Sequence, residues 1–382
     1  MKIILRVLRK IVRMNINLYN AIAIKLFSHS SKILITSIWR VDSEPSFIKF
    51  LNFVKSNQNV TYSFVEEDLP FSLNAIHKYV GVQCFGSNAV FIPNDETSVL
   101  IKECNSYTTK FNLTKQLFKW TGGGYWRNSI YAFPRTSNSL LKITDSDIEE
   151  IPLKNKYEGE HHYSGVLLPN GVIYQPPRNT NHILKIDINT LNETKIEIIN
   201  EHFKCKTRYC GSLCHPNGFI YFFPENGRVI KLNPVNDEWC FIGKKISVCC
   251  FDAKVGVDGN IYGYGAYGKG MLCINVYLDT VKIFYPEIEF GAYGTKYGVN
   301  GKLYSVPGNG NKIYAFDLLH KKLYIVYKFD SNEIEKYAGG ATLKDGTIVC
   351  APIRKNSVLN MIPTKKVDIP EELNSLIFSD NY

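Results

Sequence analysis

Methionine and tryptophan are scarce, with four residues each in a chain of 382, and no apolar run approaches the roughly 18 residues that a membrane-spanning helix needs. Acidic residues are absent from the first 41 positions, which carry Lys2, Arg6, Arg9, Lys10, Arg13, Lys25, Lys32 and Arg40. The remaining 37 basic residues nearly match the 35 acidic ones, so the net charge of +10 belongs to the leader. The body therefore gives no reason to expect a nucleic-acid partner. Ten cysteines lie in or beside strand-like runs, without the spacing of a small disulfide-bonded secreted domain, which reads as buried thiols in an intracellular protein. Gly265-x2-Gly268-x-Gly270 lacks the following helix and the Gly-Lys-Ser/Thr ending of a phosphate loop.

What the chain does have is tyrosine (24) and phenylalanine (22), residues that favour strands, and a repeat. The stretch Tyr209–Trp239 shows the unit. Ser212–Cys214 and Phe219–Phe223 alternate around Pro216-Asn217-Gly218, whose Asn-Gly is expected to form a hairpin turn with both residues at positive φ. Pro224-Glu225-Asn226-Gly227 then leads into Val229–Leu232, and Asn233-Pro234 turns the chain toward Trp239–Ile242. Seven units share an aromatic residue near the start of the first strand: Tyr79, Trp120, Tyr163, Tyr209, Phe251, Tyr293 and Tyr337. Their second strands centre on Phe91, Tyr131, Tyr174, Tyr221, Tyr262, Tyr304 and Val349. The spacing of about 40–47 residues is that of four-stranded propeller blades. Such strands bury a face only against a neighbouring blade, so the copies must close a ring.

The expected fold class is all-β, a seven-bladed propeller with a short N-terminal helical extension. Its expected divisions are a basic amphipathic leader (1–30), an irregular segment (31–78), the propeller (79–368) and a C-terminal tail (369–382). Within 31–78, Lys32–Val41 and Val60–Val65 read as strands and Ser46–Ser56 as a short helix. Three closures are open: Val60–Val65 as the outer strand of the last blade, Lys365–Asp368 in that place, or an eighth blade from residues 33–65. The acid-free leader fits an organelle transit peptide, a helix on an anionic membrane surface through residues 1–27, or an ordinary packed helix.

Asn217–Tyr221 followed by Leu232–Trp239 resembles a kelch repeat, although Pro-bearing segments such as Phe223-Pro224 and Pro176-Pro177 stand where the kelch family has a Gly-Gly doublet. The resemblance implies a protein-binding scaffold and carries over no catalytic residue. The expected function is an interaction module using the loop-rich face, with a lyase- or lactonase-type enzyme acting with a metal in the central channel as the alternative. No cofactor is expected, and the expected state is a cytoplasmic monomer.

Loops and blade junctions supply the candidate binding residues Arg135, Arg178, Arg208, Lys336 and Arg354, a positive rim suited to an acidic or phosphorylated protein partner. His162, beside His161, is a candidate base or ligand, and Asp252 stands where other units carry Gly. The aromatics of the first strands are expected to pack between blades. Cys205, Cys210, Cys214 and His215 are the one metal-like constellation, and strand alternation makes burial their expected role.

Overall fold

The computed structural model describes residues 44–103, 106–110, 112–198, 208–370 and 373; the leader, Lys32–Val41, Cys104, Cys205 and most of the tail lie outside the described residues. The chain enters through helix α1 (Glu44–Asn57), which spans the helix expected at Ser46–Ser56, and strand β1 (Tyr62–Asp68) follows. Blade 1 is β2 (Tyr79–Phe85), β3 (Asn88–Pro93), β4 (Val99–Glu103) and β5 (Ser106–Lys110). Blade 2 is β6 (Trp120–Trp126), β7 (Ser129–Pro134), β8 (Ser139–Ile143) and β9 (Ile148–Pro152); blade 3 is β10 (Val166–Leu167), β11 (Val172–Gln175), β12 (His182–Asp187) and β13 (Asn192–Glu197). Blade 4 is β14 (Tyr209–Cys214), β15 (Ile220–Pro224), β16 (Gly227–Asn233) and β17 (Glu238–Ile246); blade 5 is β18 (Lys254–Val255), β19 (Ile261–Tyr264), β20 (Met271–Asn275) and β21 (Thr280–Phe284). Blade 6 is β22 (Ala292–Tyr297), β23 (Lys302–Pro307), β24 (Lys312–Asp317) and β25 (Lys322–Lys328), and β26 (Tyr337–Thr342), β27 (Ile348–Pro352) and β28 (Ser357–Pro363) begin blade 7.

Seven four-stranded antiparallel sheets therefore make the ring. The last takes its outer strand from the start of the chain: β1 pairs with β28 from Tyr62↔Pro363 to Asp68↔Ser357. Neither Lys365–Asp368 nor an eighth blade takes that place. Glu67 on β1 then ties blade 7 to blade 1, accepting hydrogen bonds from Lys102 Nζ (2.6 Å), the Tyr107 hydroxyl (2.6 Å) and Asn360 Nδ2 (2.9 Å).

Between blades, the side chains of facing sheets interdigitate. Val90, Ile92 and Val99 of blade 1 meet Trp120, Ile130 and Leu141 of blade 2. On the other face of blade 2, Tyr131, Phe133 and Leu140 meet Leu167, Ile173, Leu184 and Ile186 of blade 3. Each such side chain contributes on the order of 1.5–3 kcal/mol by leaving water.

Five of the turns between first and second strands depart from the expectation of two positive-φ residues. Only the glycine is left-handed, at φ 84° (Gly171), 88° (Gly218), 74° (Gly259), 74° (Gly301) and 84° (Gly346). The preceding Asn or Asp serves a different purpose. Its Oδ1 accepts the amide two residues on, as Asn170 does from Val172 (3.2 Å), Asn217 from Phe219 (3.1 Å), Asp258 from Asn260 (3.2 Å), Asn300 from Lys302 (3.2 Å) and Asp345 from Thr347 (2.9 Å). Asn and Asp are thus selected for a side-chain hydrogen bond that starts the next strand.

Candidate functional site

The first strand of each blade lines the ring axis, and its register decides which side chains face the central cavity. Pairing of Tyr79 with Pro93, Trp120 with Pro134, Tyr209 with Pro224 and Tyr337 with Pro352 places these four aromatics at one equivalent position, all fully buried between blades. In blades 3 and 6 the residues paired with the matching prolines are His162 (with Pro177) and Ala292 (with Pro307). In blade 5 the Ala266 amide donates to the Cys249 carbonyl just as the Arg135 amide of blade 2 donates to Lys119, so Cys250 takes the position that Trp120 holds. Tyr163, Phe251 and Tyr293 therefore stand one residue later than the other four aromatics, and since neighbouring strand positions face opposite ways they turn into the cavity. The expectation that all seven pack between blades holds for four and is corrected for these three.

The cavity has a volume of about 340 Å³. Phe251 stacks on Tyr163 with centroids 5.5 Å apart and meets Tyr293 (5.1 Å) and Tyr267 (5.7 Å) edge-on, while the Tyr267 and Tyr293 hydroxyls lie 2.8 Å apart. Across from this aromatic wall, blades 7, 1 and 2 present Ala338-Gly339, Val80-Gly81 and Thr121-Gly122. All three pairs sit at β-bulges, where the ladder register shifts and the extra residues have no ladder partner. Glycine is required here: at φ +65° a Cβ on Gly339 would come 2.8 Å from Gly81 Cα, and at φ +100° one on Gly81 would come 3.0 Å from Gly122 Cα.

Several charged groups at the cavity are held by neighbouring side chains. Asp252 Oδ2 receives Lys296 Nζ at 2.7 Å, with the lysine side chain only 2% exposed and the aspartate 22%. At the end where the chain enters the inner strands, His77 lies between Asp95 (3.4 Å) and Glu335 (3.2 Å), and Glu335 also holds Arg354 Nη2 at 2.6 Å. Arg135 Nη2 reaches Glu160 at 3.0 Å, and its guanidinium lies over the rings of Phe118 (4.5 Å) and Tyr163 (5.0 Å). Gln83, Ser164 and Ser212 add uncharged polar side chains to the lining.

The residues singled out from the sequence are only partly brought together. Arg135 and Arg178 flank the Tyr163 ring and share Glu160, and Arg178 also reaches Glu225 at 3.0 Å. Lys336 is fully buried and donates to the Glu333 carbonyl at 2.6 Å; Arg354 is half-exposed on Glu335, and Arg208 is exposed. Asp252 lines the cavity. His162 does not: it is fully buried beside His161, His182 and Tyr157. His161 Nε2 donates to the Ser137 carbonyl (3.1 Å), which leaves its Nδ1 to accept from His162 Nδ1 at 3.0 Å. Burial pushes the His161 imidazole down to about 4 and the His162 imidazole well below its ordinary value, so both are neutral packing groups.

His215 is likewise committed to structure. Its Nε2 donates to the Gly259 carbonyl (2.9 Å) and its Nδ1 accepts the Asn217 amide (3.0 Å), while burial pushes it down to about 4. Burial pushes the Cys214 thiol up to about 11. Among the described residues no group of three or more His, Cys, Asp or Glu is placed to hold a metal ion. Nothing in the sequence marks His77 or Lys296 as part of the cavity. Tyr267 carries a local signal, since it falls in the glycine-rich 264–270 turn, and Tyr293 reads there only as one more packing aromatic.

No protein-family model matches the chain, and no curated protein matches it in sequence. Solved structures do. The chain is similar, over 79% of its length and 99% of the other, to a catalytically inactive virginiamycin B lyase from Staphylococcus aureus with quinupristin, at 15% identity and a TM-score of 0.66. It is similar to YCF48 bound to D1 peptide at 11% identity and a TM-score of 0.58, covering 78% of this chain and 96% of that one. It is also similar to the extracellular domain of a one-component system from B. thetaiotaomicron, at 10% identity and a TM-score of 0.57, covering 78% of this chain and 39% of that one. At these identities the shared property is the propeller fold, without a specific likeness to kelch repeats. No helix of the described residues is long and apolar enough to cross a membrane.

Proposed function

We propose that this protein is a binding module whose site is the central cavity, which receives a small ligand or a single ring-bearing group of a larger partner. The observation that carries this reading is the one-residue displacement of Tyr163, Phe251 and Tyr293, which turns three aromatics into the cavity opposite a wall of bulged glycines. Packing alone gives no reason for the displacement, because His162, Cys250 and Ala292 fill the buried positions that the aromatics vacate. Structural neighbours include a lyase with quinupristin and YCF48 with D1 peptide, so the fold does not choose the ligand and the cavity lining must.

The scaffold role implied by the kelch resemblance fits this reading if a partner inserts such a group. An acidic partner on the arginine rim would have to compete with Glu160, Glu225 and Glu335, which already hold Arg135, Arg178 and Arg354. The enzyme alternative has one specific point in its favour: the Asp252–Lys296 and His77–Glu335 pairs place proton donors and acceptors at the cavity.

The test is native mass spectrometry of the full chain after exposure to a small-molecule extract, with Phe251→Ala and Ala338→Phe as cavity variants. Retention of a small molecule by the wild type, lost in both variants while their circular dichroism is unchanged, supports the reading. Release of that molecule with an altered mass establishes the enzyme alternative. Equal retention by all three proteins refutes the cavity as the site.

A further inference from the structure

From the lining of the same cavity, and resting on the reading above, we infer that the ligand is an uncharged polyhydroxylated ring, a sugar. Three features of the cavity point to it independently. The first is charge balance. Lys296 is held by Asp252, Glu335 by Arg354 and Arg135 by Glu160, while the buried Lys254 also lines the cavity. A charged ligand would bring an additional charge to a lining whose carboxylates Asp252 and Glu335 already hold cations, at the cost of its desolvation. A neutral ligand meets no such penalty.

The second feature is the contrast between the walls. Tyr163, Phe251 and Tyr293 line one side of the cavity with aromatic rings suited to the C–H face of a ring, while the bulged residues Gly81, Gly122 and Gly339 across the cavity bring bare backbone to the opposite side. An apolar ring would make no use of the polar backbone of the second wall, and an anion would gain little from the first. A pyranose has one apolar face and a rim of hydroxyls, and so matches both.

The third feature is Asp252. Its Oδ2 takes the Lys296 ammonium at 2.7 Å, yet the side chain stays 22% exposed, so part of the carboxylate remains open to the cavity that it lines. The exposed edge of such a carboxylate can accept from one or two neighbouring hydroxyls. The volume of about 340 Å³ lies at the small end of ordinary ligand pockets, roughly 300–1,000 Å³, which suits one or two rings rather than a chain.

The experiment is isothermal titration of the full chain with glucose, galactose, mannose, N-acetylglucosamine, maltose, cellobiose and lactose. Glucuronate and glucosamine serve as charged analogues, and 3-phenylpropionamide as an uncharged aromatic without a polyol. The expected result is binding of at least one neutral sugar, at least tenfold tighter than its charged analogue. Affinity should fall at least tenfold in both Asp252→Asn and Phe251→Ala with the melting temperature within a few degrees of wild type. Tighter binding of glucuronate or glucosamine overturns the inference through its charge argument. Binding of 3-phenylpropionamide with no sugar bound at 10 mM overturns the sugar assignment and leaves the cavity reading standing. Absence of binding by every probe overturns the sugar assignment, and the cavity reading then stands or falls on the mass-spectrometric test.

Discussion

Lowering the pH from 7.5 to 5.5 should destabilise this propeller through three buried imidazoles. His161, His162 and His215 are sealed from solvent, and each has its hydrogen bonds arranged for the neutral ring. His215 shows why: its Nδ1 accepts the Asn217 amide, so a proton there would face an N–H. Burial lowers the folded-state values to about 4 for His161 and His215 and well below the ordinary value for His162. The unfolded chain binds a proton at each near pH 6.5, so it takes up protons that the folded state refuses, and stability falls as pH drops below about 6.5. At pH 5.5 each neutral imidazole costs about 1.3 kcal/mol relative to pH 7.5, or about 4 kcal/mol for the three, against a typical total of roughly 5–15 kcal/mol. Carboxylates held below their ordinary range, such as Glu67, Asp317 and Glu333, lose their contribution at lower pH and do not enter this window. Urea unfolding followed by tryptophan fluorescence at half-unit steps gives the slope. His215→Gln should lower the pH-dependent loss by about 1.3 kcal/mol, whatever it does to stability at pH 7.5. Equal stability at pH 7.5 and 5.5, or an unchanged slope in the variant, would refute the argument.

Glu67→Gln should weaken the join between blades 7 and 1, because Lys102 loses its ion pair; a loss of about 1–3 kcal/mol is expected in urea unfolding, with the protection of β1 amides falling first in hydrogen exchange. The hydrogen bonds from Lys102 and Tyr107 hold Glu67 below its ordinary value against the opposing effect of burial, so acidification through the carboxylate range should reproduce the same local opening. Gly218→Ala and Gly301→Ala replace glycines at positive φ in equivalent turns, but a Cβ at 218 meets nothing within 4 Å whereas one at 301 would clash with Val54 Cγ1 on α1, 2.4 Å away. The first should cost about 1 kcal/mol of backbone strain and the second clearly more, with α1 released; thermal unfolding and limited proteolysis before residue 60 distinguish them. Lys296→Met should raise the affinity for a cationic probe such as glucosamine relative to glucose, by leaving Asp252 without this partner in the cavity wall, as read by titration.

Much of the ring is legible in the sequence because it is repetitive. Each expected second strand, centred from Phe91 to Val349, falls within an observed one, and Asn-Gly or Asp-Gly marks the turns of five blades. The candidate site is less legible, since an arginine reads as exposed until its partner is known: Arg135 and Arg178 share Glu160 from a separate blade junction, and Lys336 folds back onto the Glu333 carbonyl. His162 reads as a base from sequence because its burial depends on His182 and Tyr157 from neighbouring strands and loops.

The sequence by itself determined the period and the strands of seven repeat units, because alternation and turn chemistry are local and recur at every copy, but it left an eighth blade open. Only the tertiary structure decided that β1 closes the ring and that Tyr163, Phe251 and Tyr293 face the axis while Tyr79, Trp120, Tyr209 and Tyr337 do not. Both outcomes depend on register between distant segments, and a shift of one residue along a strand exchanges its buried face for its open one.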